Sequence, residues 1–159
     1  MVSLREPAAR YGWRRHHEAP SGHSPGAIDN HASMKPDDSQ GLPHDVLIVE
    51  DDAIIALDFE ETIAGFGVRR VRTAGNAARA MALIAERAPD FALLDIGLAV
   101  GNSFVVAEKL QALQIPFVFI TGYGRDMRLP EALKGTPMLP KPCTSDLLKA
   151  ALRQRRRPK

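Results

Sequence analysis

Five residues of this chain stand where short apolar runs stop: Glu50 and Asp51 after VLIV (46–49), Asp95 after FALL (91–94), Thr121 after FVFI (117–120) and Lys141 after PMLP (137–140). Carboxylates gathered in one place repel one another unless a cation joins them. A donor set of oxygens without His or Cys suits a hard ion such as Mg2+, which keeps part of its water shell and binds through one or two carboxylates. A lysine and a threonine hydroxyl beside such a carboxylate fit a transferred phosphoryl group: the ammonium neutralises its charge and the hydroxyl donates a hydrogen bond. An aspartate carboxylate is itself a competent phosphoryl acceptor. Taken singly, each residue has a plainer explanation in turn chemistry, and only their convergence on one site would give them this role.

That convergence depends on the elements between them. The unbroken apolar runs 46–49, 91–94 and 117–120 have the composition of strands buried on both faces of a parallel sheet. Val68 to Thr73 is predicted as a more exposed strand and Pro137 to Leu139 as a short fifth one. Between them lie helical periods. Ile55, Phe59, Ile63 and Phe66 form one face of a first helix, capped by Asp52 and closed by Gly65 and Gly67. Asn76 caps a second, with Ala77, Ala80, Met81, Ile84, Ala85 and Ala88 inward. Asn102 or Ser103 starts a third, with Val106, Leu110 and Leu113 inward. Only a short helical stretch is expected near 131–134, and a last helix begins at Thr144 to Asp146 and carries Leu147, Leu148, Ala151 and Leu152. Five strands alternating with about five helices predict an α/β fold: a doubly wound, five-stranded parallel sheet with helices on both faces. Such sheets place their chemistry beyond the carboxyl ends of the strands, where the five residues stand.

The segments VLIVEDD (46–52), FALLDIGL (91–98), FVFITGYG (117–124) and LPKP (139–142) resemble the receiver domain of two-component response regulators. The resemblance covers roughly residues 45–152 and implies a flavodoxin-like sheet of order 2-1-3-4-5. It implies that Asp95 accepts the phosphoryl group and that Asp51 binds Mg2+. Glu50 would act partly through water, and the Gly97 carbonyl would add a ligand. Thr121 and Lys141 would hold the phosphoryl oxygens, and the Lys141-Pro142 peptide would be cis. The aromatic switch usual three residues before the lysine is Met138 here. FVFITGYG, with glycine after the threonine, is similar to the FAT-GUY subfamily of stand-alone receivers, although Ile120 replaces the alanine of its motif. Its partners would be a sensor histidine kinase, of the HWE or a related type, and a downstream protein or phosphotransfer partner. Without the aromatic, phosphorylated Asp95 is expected to draw in Thr121 and reorder residues 122–136. Such a domain signals and is not an enzyme.

The rest of the chain bounds this reading. Of 159 residues, 45% are hydrophobic and 25% charged, as in soluble globular proteins. The longest apolar run, Ala80 to Ala85, is far too short to span a bilayer, so no membrane insertion is expected. One cysteine, Cys143, permits no internal disulfide and no zinc cluster, which fits a cytoplasmic setting; it is expected to pack as a small hydrophobe. Residues 1–44 carry five basic and five acidic residues, all five histidines, and no apolar period; they are predicted to be a disordered leader, with Met34 a candidate alternative start. Residues 45–152 carry 11 basic and 14 acidic residues, and the tail RQRRRPK (153–159) carries five basic and no acidic ones. The overall charge of +2 thus conceals an acidic domain. That tail would bind nucleic acid only without specificity. A receiver-like docking module that never takes phosphate is the main alternative. A phosphatase-like enzyme would need two aspartates spaced by one residue after the first strand, which Glu50-Asp51-Asp52 does not supply. No P-loop motif occurs.

Overall fold

A computed structural model of the chain describes residues 41–122 and 128–154. The leader up to residue 40, Tyr123 and most of the basic tail lie outside the described residues.

The apolar runs form the predicted strands: β1 (Asp45–Val49), β3 (Phe91–Asp95) and β4 (Phe117–Thr121), with β2 (Arg70–Ala74) and the short β5 (Met138–Pro140) at the edges. All pairings are parallel, in the order β2-β1-β3-β4-β5. Every residue of β1 and β3 is buried, as strands covered on both faces must be. The helices are α1 (Ala53–Gly65), α2 (Ala77–Glu86), α3 (Phe104–Ala112) and α4 (Ser145–Arg153). Between β4 and β5 the described residues hold a single 3-10 turn, Glu131–Leu133, so four helices and one turn stand where about five helices were expected. The Lys141-Pro142 peptide is cis, as the resemblance implies.

Alternation along the strands builds two cores. Val46, Ile48, Leu93, Val118 and Ile120 face Phe59 and Ile63 of α1 and Leu148, Ala151 and Leu152 of α4. Leu47, Val49, Ala92, Leu94 and Phe119 face Ala80, Leu83 and Ile84 of α2 and Val106, Ala107 and Leu110 of α3. Each layer removes its apolar stripe from water, the main favourable term of folding. The Asp52 side chain caps α1 by accepting from the Ile54 and Ile55 amides, and Asn76 caps α2 through the Arg79 amide. At the third helix the capping bond comes from Asn102, which accepts from the Phe104 amide, and Ser103 makes no side-chain cap bond. Gly67, at φ +96°, reverses the chain after α1 in a region that other residues rarely enter.

Several inward assignments shift. Leu113 and Leu147 are each 43% exposed, because α3 ends at Ala112 and Leu148 takes the inward place on α4. Ala85 and Ala88 are exposed while Leu83 is buried, so the inward face of α2 is rotated toward the leucine. Packing also starts before residue 45. Leu42 is buried, and the His44 carbonyl accepts from the Arg70 amide.

Candidate functional site

The five strand-end residues come together above the carboxyl edge of β1, β3, β4 and β5. Strand register does this directly. Val49 pairs with Leu94, Asp95 with Ile120, and Thr121 with Pro140, so Glu50, Asp95, Thr121 and Lys141 succeed one another across the sheet. Lys141 reaches across this edge. Its ammonium donates to Glu50 Oε2 at 2.6 Å and lies 3.1 Å from Asp95 Oδ2. One oxygen from each of Glu50, Asp51 and Asp95 lies within 4.8 Å of the other two. Three carboxylates against one ammonium leave two negative charges uncompensated.

Backbone amides supply part of the compensation. The Asp52 amide donates to Glu50 Oε1, the Gly97 amide to Asp95 Oδ1, and the Ala99 amide to Asp51 Oδ2 at 2.8 Å. Burial still pushes the Glu50 carboxyl above its ordinary range, and the neighbouring Asp95 charge adds to this; Lys141 and the Asp52 amide pull it only partly back. For Lys141 burial acts downward, but its hydrogen bonds to Glu50 and Asp95 and their charges outweigh it, so the ammonium is held above its ordinary range. Glu50 and Asp95 are buried, whereas Asp51 is exposed at the rim.

Asp95, Gly97, Thr121, Gly122 and Lys141 line a cavity of about 120 Å3. The Thr121 hydroxyl donates to the Gly122 carbonyl at 3.2 Å, so it is held at the rim of that cavity. A wider cleft of about 350 Å3 opens beside it, between Glu50, Asp51 and Glu60 and the small residues Ala53, Ala56 and Gly75. The oxygen-only donor set, with its surplus of negative charge, fits a hard divalent cation. All of the sequence-predicted site residues are therefore brought to one place: Glu50, Asp51, Asp95 and Gly97 around the carboxylate cluster, and Thr121 and Lys141 at the cavity beside Asp95. Met138 is 44% exposed on the edge strand. Cys143 is half-buried against the α1–α4 core, and burial pushes its thiol up, away from the reactive thiolate. No helix among the described residues is long and apolar enough to cross a membrane.

Sequence reasoning missed the Ala99 amide, which no side-chain type marks. It also missed Asp45, buried at the opposite end of the sheet. Asp45 lies 2.9 Å from Arg72 Nε, 3.4 Å from Arg87 Nε and 3.7 Å from Arg70 Nη1. Its arginine partners are scattered along the sequence, so no local motif reveals it.

The chain is similar to several known proteins. Among solved structures, SdrG from Sphingomonas melonis is 37% identical over 70% of this chain and 94% of its own, with a TM-score of 0.61. The anti-anti-sigma factor PhyR from Bartonella quintana is 31% identical over 74% of this chain and 49% of its own, with a TM-score of 0.62. The phyllosphere-induced regulator PhyR of Methylorubrum extorquens is 34% identical over 82 residues, and the match spans 31% of that protein. Residues 46–153 match the response regulator receiver domain, and the chain belongs to that family.

Proposed function

We propose that this receiver domain accepts a phosphoryl group from a sensor histidine kinase onto Asp95, in a reaction that depends on Mg2+, and passes the signal on by protein contact or further phosphotransfer. The observation that carries the reading is the Lys141 ammonium held between Glu50 and Asp95, beside a third carboxylate and a small cavity rimmed by Thr121.

In the transfer, an Asp95 carboxylate oxygen forms a bond to phosphorus while the bond from phosphorus to the kinase histidine nitrogen breaks, and the imidazole leaves. Asp95 Oδ1 is steadied by the Gly97 amide, and Oδ2 faces Lys141. As charge builds on the phosphoryl oxygens, Lys141 supplies a compensating positive charge from its present place between the carboxylates. The Thr121 hydroxyl can turn from the Gly122 carbonyl to a phosphoryl oxygen. Glu50, Asp51 and Asp95, with the Gly97 carbonyl, would hold Mg2+, whose charge offsets that of the three carboxylates and the incoming group. Burial of Asp95 and Glu50 limits competing hydrolysis by bulk water.

With Met138 in place of an aromatic, the signal is expected to travel through Thr121 into the 122–136 stretch, of which 123–127 lie outside the described residues. The subfamily reading rests on FITG (119–122), and with it goes a kinase of the HWE or a related type. Such a partner places the protein in the cytoplasm. The PhyR relatives suggest a role in sigma-factor regulation, at the level of partners and not of this domain's chemistry. Phosphotransfer profiling with autophosphorylated kinases tests the reading. Label should move to the wild-type chain in the presence of Mg2+ and not to Asp95→Asn, and chelation should stop it. Equal labelling of Asp95→Asn would move the acceptor elsewhere.

A further inference from the structure

The three carboxylates are not held alike. Glu50 and Asp95 share the Lys141 ammonium, whereas Asp51 Oδ2 accepts the backbone amide of Ala99 at 2.8 Å. The donor comes from the β3–α3 loop, whose Gly97 amide also donates to Asp95 Oδ1. Two amides spaced by one residue therefore hold two carboxylates, one at the end of β3 and one just beyond β1. Leu98, between them, is buried in the α2–α3 core and anchors the loop at that point. A charge-assisted hydrogen bond from a backbone amide holds a carboxylate to one rotamer. The amide thus holds the Asp51 carboxylate in an orientation that keeps one of its oxygens within 4.8 Å of those of Glu50 and Asp95.

We propose that the Ala99 backbone N–H is a positioning donor for Asp51, and that the 97–99 loop sets the Mg2+ affinity of the site by holding this carboxylate in place before the ion arrives. The inference rests on the Mg2+ reading given above. Ala99 would not itself hold the ion or the phosphoryl group; it acts through Asp51. Because the contact is made by backbone, the side chain at position 99 can vary freely unless it removes the N–H, and only proline does that.

The test is a Mg2+ titration of the full chain by calorimetry, comparing wild type, Ala99→Gly and Ala99→Pro. Loss of an outer-shell partner typically weakens metal binding by about tenfold or more. Ala99→Gly, which keeps the N–H, should bind like wild type, and Ala99→Pro about tenfold more weakly, with metal-free melting close to that of wild type. Equal affinity of the two variants would overturn the proposal. So would tighter binding by Ala99→Pro, which would make the amide a competitor of the ion. Should Ala99→Pro fail to fold, the amide can be read in the wild-type protein: its proton should exchange slowly and shift upfield in Asp51→Ala. An amide indifferent to Asp51→Ala overturns the proposal. If the wild-type protein binds no Mg2+ at all, the reading beneath it fails as well, a result distinct from wild-type binding that proline leaves unchanged.

Discussion

The two ends of the β1 strand carry opposite electrostatic designs. At its start, one buried carboxylate, Asp45, is met by three guanidiniums, of Arg70, Arg72 and Arg87. Arg72 also donates to the Leu83 and Arg87 carbonyls, tying the last turn of α2 to the sheet. Close by, the Asp90 carboxylate accepts the His44 and Asp45 amides, so the chain entering β1 is held as well. At the other end, three carboxylates meet one ammonium. The first arrangement is over-supplied with positive charge, with Arg72 hydrogen-bonded to Asp45 Oδ1 and Arg70 and Arg87 at ion-pair distance from Oδ2. The second is short of positive charge, and its carboxylates are compensated only in part, by Lys141 and by backbone amides. The fold thus sets a cation-rich cluster at one edge of the sheet against an acid-rich one at the other.

This contrast can be broken by substitution. The largest effect is expected from Asp45→Ala, which leaves the largely buried Arg72 guanidinium without its counter-charge; loss of one partner of a buried pair costs about 3–5 kcal/mol. Urea unfolding should show this cost whether or not Mg2+ is present. At the acidic end, Mg2+ should stabilise the protein by about 2.7 kcal/mol at a hundredfold excess over its dissociation constant. Asp51→Asn should lose most of that gain in a thermal melt while leaving metal-free stability little changed. A smaller effect follows at Asp52, whose side chain caps α1 and is not among the three clustered carboxylates. Asp52→Ala should cost about 1 kcal/mol and leave the Mg2+ titration unaltered.

The subtlest difference is in pH dependence. The Glu50 carboxyl is raised above 4.5 in the folded protein, so between 4.5 and its folded value the native state holds more protons than the unfolded chain. Stability from this group is therefore fully present below 4.5 and lost as the pH rises through the folded value. In metal-free protein, Glu50→Gln should flatten that limb of the stability profile. Lys141, raised above 10.5, has the same sign: its contribution holds below 10.5 and is lost as the pH climbs through its folded value. Alkaline unfolding of Lys141→Met should lack that step.

Much of the acidic end was legible in the sequence, because burial on both faces forces unbroken apolar runs and the first polar residue after each run marks a strand end. Register then does the rest, since parallel neighbours deliver their ends to one edge. The basic end was not legible. Asp45 reads as a boundary residue, and Arg72 is 27 positions away, joined to it only by strand pairing. Helix faces built of alanine were equally ambiguous, as Ala85 and Ala88 of the α2 region show, because alanine is tolerated inside and outside alike. Leu113 matched the helical period of α3 but lies beyond the end of the helix. The Ala99 contact was hidden for a different reason: a backbone donor leaves no trace in residue type.

Phosphoryl transfer to Asp95 is what the under-compensated end of the sheet is proposed to support. It is tested most directly by intact-mass measurement after incubation with a small phosphodonor and Mg2+, followed by peptide mapping. The wild-type chain should gain one phosphoryl group, located at Asp95, with no gain in Asp95→Ala or after chelation. No gain with any donor would favour a phosphate-independent docking module, and a gain that persists in Asp95→Ala would contradict the assignment of the acceptor.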